Sequence, residues 1–394
     1  MRDITLYKNC LGSYFSKPLS PNINNLSLFL ISPSSDINSQ EHKNFQLIKS
    51  QFGIKYLAYS LIAFFENIFF VRSLYQLIGL VIICIFLLKF YTWKSFFRDK
   101  DISNVIYDYD VLLSKSLSLA LESLRIKTIA IQERAVWSFG HKYTLIVNTY
   151  LYGGLLPKKH GNNNMSLIHE NSFNIGLWRV TYFYNKDLVE INKISFKSKN
   201  SICPYSYKSK ILFLGLFTDF QNNRPFTNVK ALYEFLDYLV LFSKEFPESA
   251  LILRLKSIQN KDRELIINKL KKIPNFYLCD DYRYEAISYR LCKEADLLVS
   301  LQTSLAEEAL AYGKKVIFIN DLFPISKMAE DTYPKDFHFA IPNGKKEMIN
   351  LAKQCLENQN SINKKFDKLR KKLSGDIDLT TPNIISKTLE SYLQ

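Results

Sequence analysis

The stretch Ala295–Asn320, ADLLVSLQTSLAEEALAYGKKVIFIN, constrains this chain more than any other. A short apolar run, Leu297–Leu301, breaks at Gln302-Thr303. A helix-like segment follows, Gly313 interrupts it, and a second apolar run covers Val316–Ile319. Strand, turn, helix and strand in so short a space is the pattern of a parallel βαβ unit. Ser304 with Glu307 three residues on reads as a capping box at the helix start, and Gly313 stands where a C-cap is expected. A helix that begins directly after a parallel strand offers free N–H groups and partial positive charge to an anion such as a phosphate. The same pattern also suits an ordinary βα repeat of a core.

The chain around this unit alternates in the same way. Runs at Ile211–Leu216, Leu251–Leu255 and Phe276–Leu278 read as strands. Val229–Glu245, Lys261–Lys272, Arg283–Glu294 and Leu305–Tyr312 read as helices, followed by Lys345–Asn358, Ser361–Leu373 and Thr381–Leu393. Strands alternating with helices favour right-handed crossovers and a parallel, doubly wound sheet. The first half follows the rhythm more loosely. It has strands at Leu26–Ile31, Asn104–Tyr107, Lys127–Ile131 and Tyr143–Val147, a helix at Asp110–Leu124, a polar lead over 1–25 and a polar loop at Lys158–Asn171. Ser, Lys, Asn and Pro204 crowd into 192–209, which reads as a linker. The expected organisation is an N-terminal α/β domain over 1–191, that linker, an α/β domain over 210–380 and a terminal helix over 381–394.

Between 54 and 97 the chain is unusually apolar. Ser73–Leu88 is uncharged, and Tyr91, Trp93, Lys94, Arg98 and Lys100 follow it. A spanning helix needs about 17–25 apolar residues, so this segment falls just short. Apolar run, interfacial aromatics and basic cluster in that order suit a helix in contact with an anionic membrane surface; a buried helix and a true span are the alternatives. The net charge of +15 likewise invites anionic partners. No nucleic-acid module accompanies the scattered lysines, so nucleic acid is not an expected partner. The six cysteines (Cys10, Cys84, Cys203, Cys279, Cys292 and Cys355) form no C-x-x-C pair, which fits a reducing compartment and neither a zinc site nor a disulfide framework. Met1–Ser20 is too polar for a cleavable signal peptide, so a cytoplasmic location is expected, peripheral on the inner membrane face.

Three places just past strand ends carry candidate chemistry. After Lys127–Ile131 comes Gln132-Glu133-Arg134. Here Glu133 is the candidate general base and Arg134 a phosphate partner, with Asp108 and Asp110 after the preceding strand as rival acids. After Ile211–Leu216, Thr218 and Arg224 are placed to bind a phosphate. The third place gathers Arg254 and Lys256 at one strand end, Asp280-Asp281 at the next, and Gln302, Thr303 and Ser304 before the helix that carries Glu308. Each has a plain alternative as an exposed loop, an ion pair or a helix cap. The five histidines show no metal-ligand spacing, and no metal or bound cofactor is expected.

The elements Ala295-Asp296, Ser304, Glu308-Ala309-Leu310, Gly313-Lys314 and Val316-Ile317 resemble the nucleotide-binding half of GT-B glycosyltransferases of the surface- and capsular-polysaccharide type. That resemblance implies two Rossmann-like doubly wound domains facing a cleft, and a final helix that crosses back to the first domain. It also implies a nucleotide-sugar as co-substrate and Glu308 toward the nucleotide ribose. Retaining members carry a second acid eight positions before that glutamate; here Ser300 occupies it, which argues for inversion. Two further departures stand out: Gln-Glu-Arg where relatives show Gln-His-Gly, and Arg-Leu-Lys where cell-wall relatives show Lys-x-His. The reading is a metal-independent glycosyltransferase acting on a glycan or lipid-linked acceptor. The rivals are a nucleotide-sugar 2-epimerase and a non-catalytic glycan-binding scaffold.

Overall fold

The computed structural model describes residues 2–8, 26–31, 45–47, 54–98, 102–107, 115–132, 145–153, 167–177, 179–180, 183, 194–197, 202–217, 229–257, 260–271, 273–280, 286–301, 303–322, 333 and 335–374. These fall into two compact units that divide between Gly176 and Leu177.

The first unit is built on a seven-stranded sheet in the order β3-β2-β1-β4-β5-β6-β7. Its strands are β1 (Arg2–Lys8), β2 (Leu26–Ile31), β3 (Phe45–Leu47), β4 (Ile102–Tyr107), β5 (Lys127–Ile131), β6 (Leu145–Tyr152) and β7 (Leu167–Asn174). Every pairing is parallel. Two strands lie where the sequence reads as polar. β1 sits inside the expected lead and pairs with both β2 and β4, so an interior strand of the sheet carries polar as well as apolar residues. β7 overlaps the expected loop Lys158–Asn171; it ends the sheet, where polar side chains suit an edge.

Among the described residues, three helices accompany this sheet: α1 (Ile54–Ile68), α2 (Leu74–Arg98) and α3 (Lys115–Ser123). The C-terminal end of α2 is tied into the core. Phe97 is buried with Val105, Leu117, Leu121, Ala130 and Tyr150, and Trp93 and Phe96 pack against them. The rest of the α1–α2 hairpin carries its large apolar side chains on the outside. α2 is the one helix among the described residues that is long and apolar enough to cross a membrane.

The second unit has a five-stranded, all-parallel sheet in the order β10-β9-β8-β11-β12. Its strands are β8 (Ser209–Phe217), β9 (Ser249–Ser257), β10 (Phe276–Cys279), β11 (Leu297–Ser300) and β12 (Val316–Phe318). Its helices are α4 (Val229–Glu245), α5 (Asn260–Leu270), α6 (Ala286–Glu294), α7 (Ser304–Tyr312), α8 (Gly344–Leu356) and α9 (Asn360–Ser374). β10, β11 and β12 are buried at every position, as continuous apolar runs require in a sheet covered on both faces. On α4, Phe235, Leu236, Leu239 and Phe242 face the sheet, and Phe242 meets Phe213 of β8 edge-on at 5.2 Å.

The expected linker belongs to this unit wherever it is described. Lys197 pairs antiparallel with Leu278 at the β10 edge, and Tyr277 donates to the Ile202 carbonyl at 2.7 Å. Pro204–Ser206 is a short 3-10 turn, with Tyr207 against Tyr277. The segment from Leu177 also packs here, although the sequence assigns it to the first domain. Phe183 is fully buried, edge-on to Tyr289 of α6 and stacked on Tyr312 of α7. The expected terminal helix, 381–394, lies outside the described residues.

Candidate functional site

In the second sheet β8 and β11 are neighbours, yet the chain leaves β8 toward β9 and β10 and leaves β11 toward β12. This is a topological switch point, and the C-terminal ends of the two flanking strands are where such sheets hold ligands. β11 ends at Ser300, whose buried hydroxyl donates to the Leu301 carbonyl at 2.6 Å. Thr303 then adopts extended backbone (φ −136°, ψ 146°) and its hydroxyl accepts from the Ala306 N–H at 3.2 Å. The N-cap is therefore Thr303, and Ser304, read from sequence as the cap, is the first helical residue of α7. The spacing of Ser304 and Glu307 mimics a capping box, but the Glu307 carboxylate turns inward instead. The N–H groups of Ser304 and Leu305 precede the first intrahelical bond, so they are the donors that this helix start offers to an anion. Gly313 ends α7 at φ 109°, in the left-handed region, as expected of a C-cap glycine.

Behind that helix start lie two adjacent buried carboxylates. Glu307 accepts from the Tyr333 hydroxyl at 2.7 Å, and Tyr333 stacks on Phe337. Glu308 accepts from the Tyr289 hydroxyl at 2.7 Å and faces the Arg179 guanidinium at 3.5 Å. Burying a carboxylate is costly unless it is paired or hydrogen-bonded, and both residues meet that condition. The charge of Glu308 reaches further. Burial, and after it this carboxylate, pushes the Cys292 thiol far above its ordinary range. Arg179, Tyr289 and Tyr333 had not been singled out from sequence. Arg179 comes from the segment that the sequence assigns to the other domain.

The remaining candidates divide into three groups. Arg254, on β9, is buried; its Nε donates to Ser288 Oγ at 3.2 Å and its Nη1 to the Cys279 carbonyl at 3.3 Å. It thus joins β9 and β10 to α6. Lys256 lies within β9, two residues further along. Beside Asp281, Asp280 is held by Arg263 at 2.9 Å and Lys197 at 3.0 Å. Gln302, Thr218, Arg224 and Asp281 lie outside the described residues.

Glu133, Arg134 and Asp110 also lie outside them, but the topology around them is informative. The switch point of the first sheet falls between β1 and β4. Asp108 and Asp110 directly follow β4, whereas Glu133 follows β5, one strand further out. Gln132, the first residue of that triplet, is structural: it is buried and accepts from the Gly153 N–H at 2.8 Å. Among the described residues, no group of three His, Cys, Asp or Glu side chains could hold a metal ion.

No family model matches this chain, and no curated protein matches its sequence. Solved structures do match over nearly the whole length. A chain assigned as a UDP-N-acetylglucosamine 2-epimerase from Listeria monocytogenes is 11% identical, with a TM-score of 0.63, over 100% of this chain and 96% of that one. The UDP-GlcNAc 2-epimerase of Methanocaldococcus jannaschii, in complex with UDP-GlcNAc and UDP, is 13% identical with a TM-score of 0.56, covering 99% and 100%. MurG from Acinetobacter baumannii is 13% identical with a TM-score of 0.52, covering 99% and 100%. With two parallel doubly wound sheets and these likenesses across both units, the chain has the GT-B fold.

Proposed function

We propose that this protein is a nucleotide-sugar enzyme and, specifically, a metal-independent inverting glycosyltransferase. The observation that carries the reading is the start of α7 at the switch point of the second sheet, with buried Glu308 one turn behind it. The diphosphate of the donor takes the Ser304 and Leu305 N–H groups, Gln302 and Thr303 line its path, and Glu308 accepts from the ribose hydroxyls. Thr218 and Arg224 follow β8, the other strand of the switch, and serve the same phosphates. Lys256 and Asp281 serve the base, and Arg254 braces β9 and β10 behind them.

In the reaction an acceptor hydroxyl attacks the anomeric carbon. The carbon–oxygen bond to the phosphate breaks, and the nucleotide diphosphate leaves with that electron pair. The helix N-terminus stabilises its charge. A carboxylate takes the hydroxyl proton: Glu133, with Arg134 beside it, or Asp110, which follows the strand flanking the first unit's switch. The acceptor class is a glycan or lipid-linked saccharide of a surface polysaccharide such as a capsule. Binding of UDP-GlcNAc or UDP by structural neighbours supports the donor class.

A 2-epimerase is the second reading, because two of the neighbours above are epimerases that match over the full chain. The two readings separate in one assay. The protein is first screened by thermal shift against nucleotides and nucleotide-sugars, since a ligand that binds only the folded state raises its stability by mass action. It is then incubated with the best-binding sugar nucleotide alone. Conversion to the C2 epimer without an acceptor establishes the epimerase. Release of free nucleotide that depends on an added saccharide establishes the transferase. No thermal shift with any of them would sink both.

A further inference from the structure

We propose that the α1–α2 hairpin is a membrane-docking element that lies in the plane of an anionic bilayer, with one apolar face sunk into a single leaflet. The hairpin exposes more large apolar side chains than any other part of the described structure. On α1 these include Leu57, Leu61 and Phe65. On α2 they include Leu74, Ile78, Val81 and Ile85. At the turn, Phe69 is 88% and Phe70 75% exposed. Between Leu74 and Lys89 on α2, Leu80 is the buried residue, and the others are exposed or half-buried.

These side chains form a face. The helices meet along buried Tyr56 and Ser60 of α1 and Leu80 of α2. A short turn makes the two helices antiparallel. Measured from that seam at about 100° per residue, Leu57, Leu61 and Phe65 fall on the same side of the hairpin as Leu74, Ile78, Val81 and Ile85. Tyr59, Ile62, Glu66, Tyr75, Gln76 and Ile83 fall on the opposite side, where a carboxylate and an amide interrupt the exposed apolar residues. Spacing at i, i+3 and i+4 on two adjacent helices gives a broad apolar stripe, which suits an interfacial helix pair.

Charge selects the occupant. The one acidic residue from Ile54 to Arg98 is Glu66, against Lys55, Arg72, Lys89, Lys94 and Arg98. Exposed Lys89 and Arg98 lie beyond the apolar stretch on α2, and Lys94 sits over the Phe90 ring at 5.7 Å. An apolar stripe with a basic margin matches hydrocarbon under anionic headgroups. Insertion end-on is disfavoured. Lys55 and Glu66 bracket only about 15 Å of helix at 1.5 Å per residue, half of the about 30 Å of bilayer hydrocarbon, and Glu66 and Arg72 flank the tip. The proposal stands apart from the catalytic reading.

The test is flotation of the full chain with vesicles of phosphatidylglycerol and phosphatidylcholine. The protein is expected to float at low salt, and at about 1 M salt, where charge is screened, to retain part of that binding. Leu61→Gln and Ile78→Gln should each lower the partition coefficient about 10-fold. Tyr59→Gln and Ile83→Gln, on the opposite face, should change it less than about twofold on the same scale. Melting temperatures without vesicles confirm that each variant is folded, and nucleotide binding followed in parallel should be the same in all four. Four results would overturn the proposal: no flotation of the unmodified protein; equal losses for both faces; Leu61→Gln and Ile78→Gln dispersing a dimer in sedimentation without changing flotation, which assigns the face to a second copy; and a hairpin turn cleaved by protease from inside the vesicle, which assigns a span.

Discussion

Glu308 shows how a residue read from a pattern acquires a second role in three dimensions. Its carboxylate is both the expected ribose partner and a pin that joins α7 to Tyr289 of α6 and to Arg179. Truncating it does two things at once. Glu308→Ala removes the pin and leaves Arg179 and Tyr289 facing a void, so a stability loss of about 1–3 kcal/mol is expected. Glu308→Gln keeps the shape and an acceptor for Tyr289. It should therefore melt close to the unmodified protein while binding nucleotide roughly 2- to 30-fold more weakly, from the about 0.5–2 kcal/mol by which a hydrogen bond to a charged acceptor exceeds one to a neutral acceptor. Calorimetric titration of both variants decides the matter, and unchanged affinity in folded Glu308→Gln would remove this residue from the site.

The cysteines give a second test at the same scale. Burial pushes the Cys355 thiol up to about 12, and burial with the Glu308 charge pushes Cys292 higher still. Cys203 is exposed. At about pH 8 an alkylating agent should label Cys203 in the folded protein and reach Cys292 and Cys355 only after denaturation, because the thiolate is the reactive form. Rapid native labelling of Cys292, read by mass spectrometry, would mean that α6 and α7 open readily.

At the scale of elements, the second unit was legible because its strands are continuous apolar runs bounded by turn residues. Val229–Glu245 appears as a helix with the same limits in sequence and structure. The cap shifted by one residue since Thr303 and Ser304 are equally good oxygens, and only the backbone angle distinguishes them. β1 and β7 were hidden by polar composition, a strand's neighbours being unknown from its own residues. The packing of Arg179 and Phe183 onto α6 and α7 was hidden for a related reason: an aromatic segment near a domain boundary suits either side.

Gly313 was legible, and it carries a test of its own. At φ 109° it needs a backbone conformation that a side chain resists. Gly313→Ala should cost about 1–2 kcal/mol and Gly313→Asn less, because asparagine tolerates this region. Denaturant midpoints will show it. Gly215 resists substitution for another reason. A Cβ there would collide with Leu255 Cδ2 and lie 3.3 Å from Phe235 Cε1, both buried. Gly215→Ala is expected to overpack the β8–α4 contact by about 1–3 kcal/mol.

On the scale of the whole molecule, two parallel sheets divide the chain into units with separate cores, and the proposed donor site draws its α7 and β8–β11 parts from the second. A ligand held there stabilises first the structure that it touches, since local opening free energies differ across a fold. Hydrogen exchange on the full chain, with and without saturating UDP-sugar, should therefore show slowed amides at Ser300–Ala306 and in β8, β11 and β12. The strands β4, β5 and β6 should change little, because their cores share no residue with the site. At a ligand concentration 100 times Kd the stabilisation amounts to about 2.7 kcal/mol, which corresponds to roughly 100-fold slower exchange wherever opening must release the ligand. Protection confined to the first unit would place the nucleotide on the wrong sheet for this reading. Protection in the second unit that skips Ser300–Ala306 would keep the unit but move the phosphates away from the α7 start, and with them the role of the helix N-terminus.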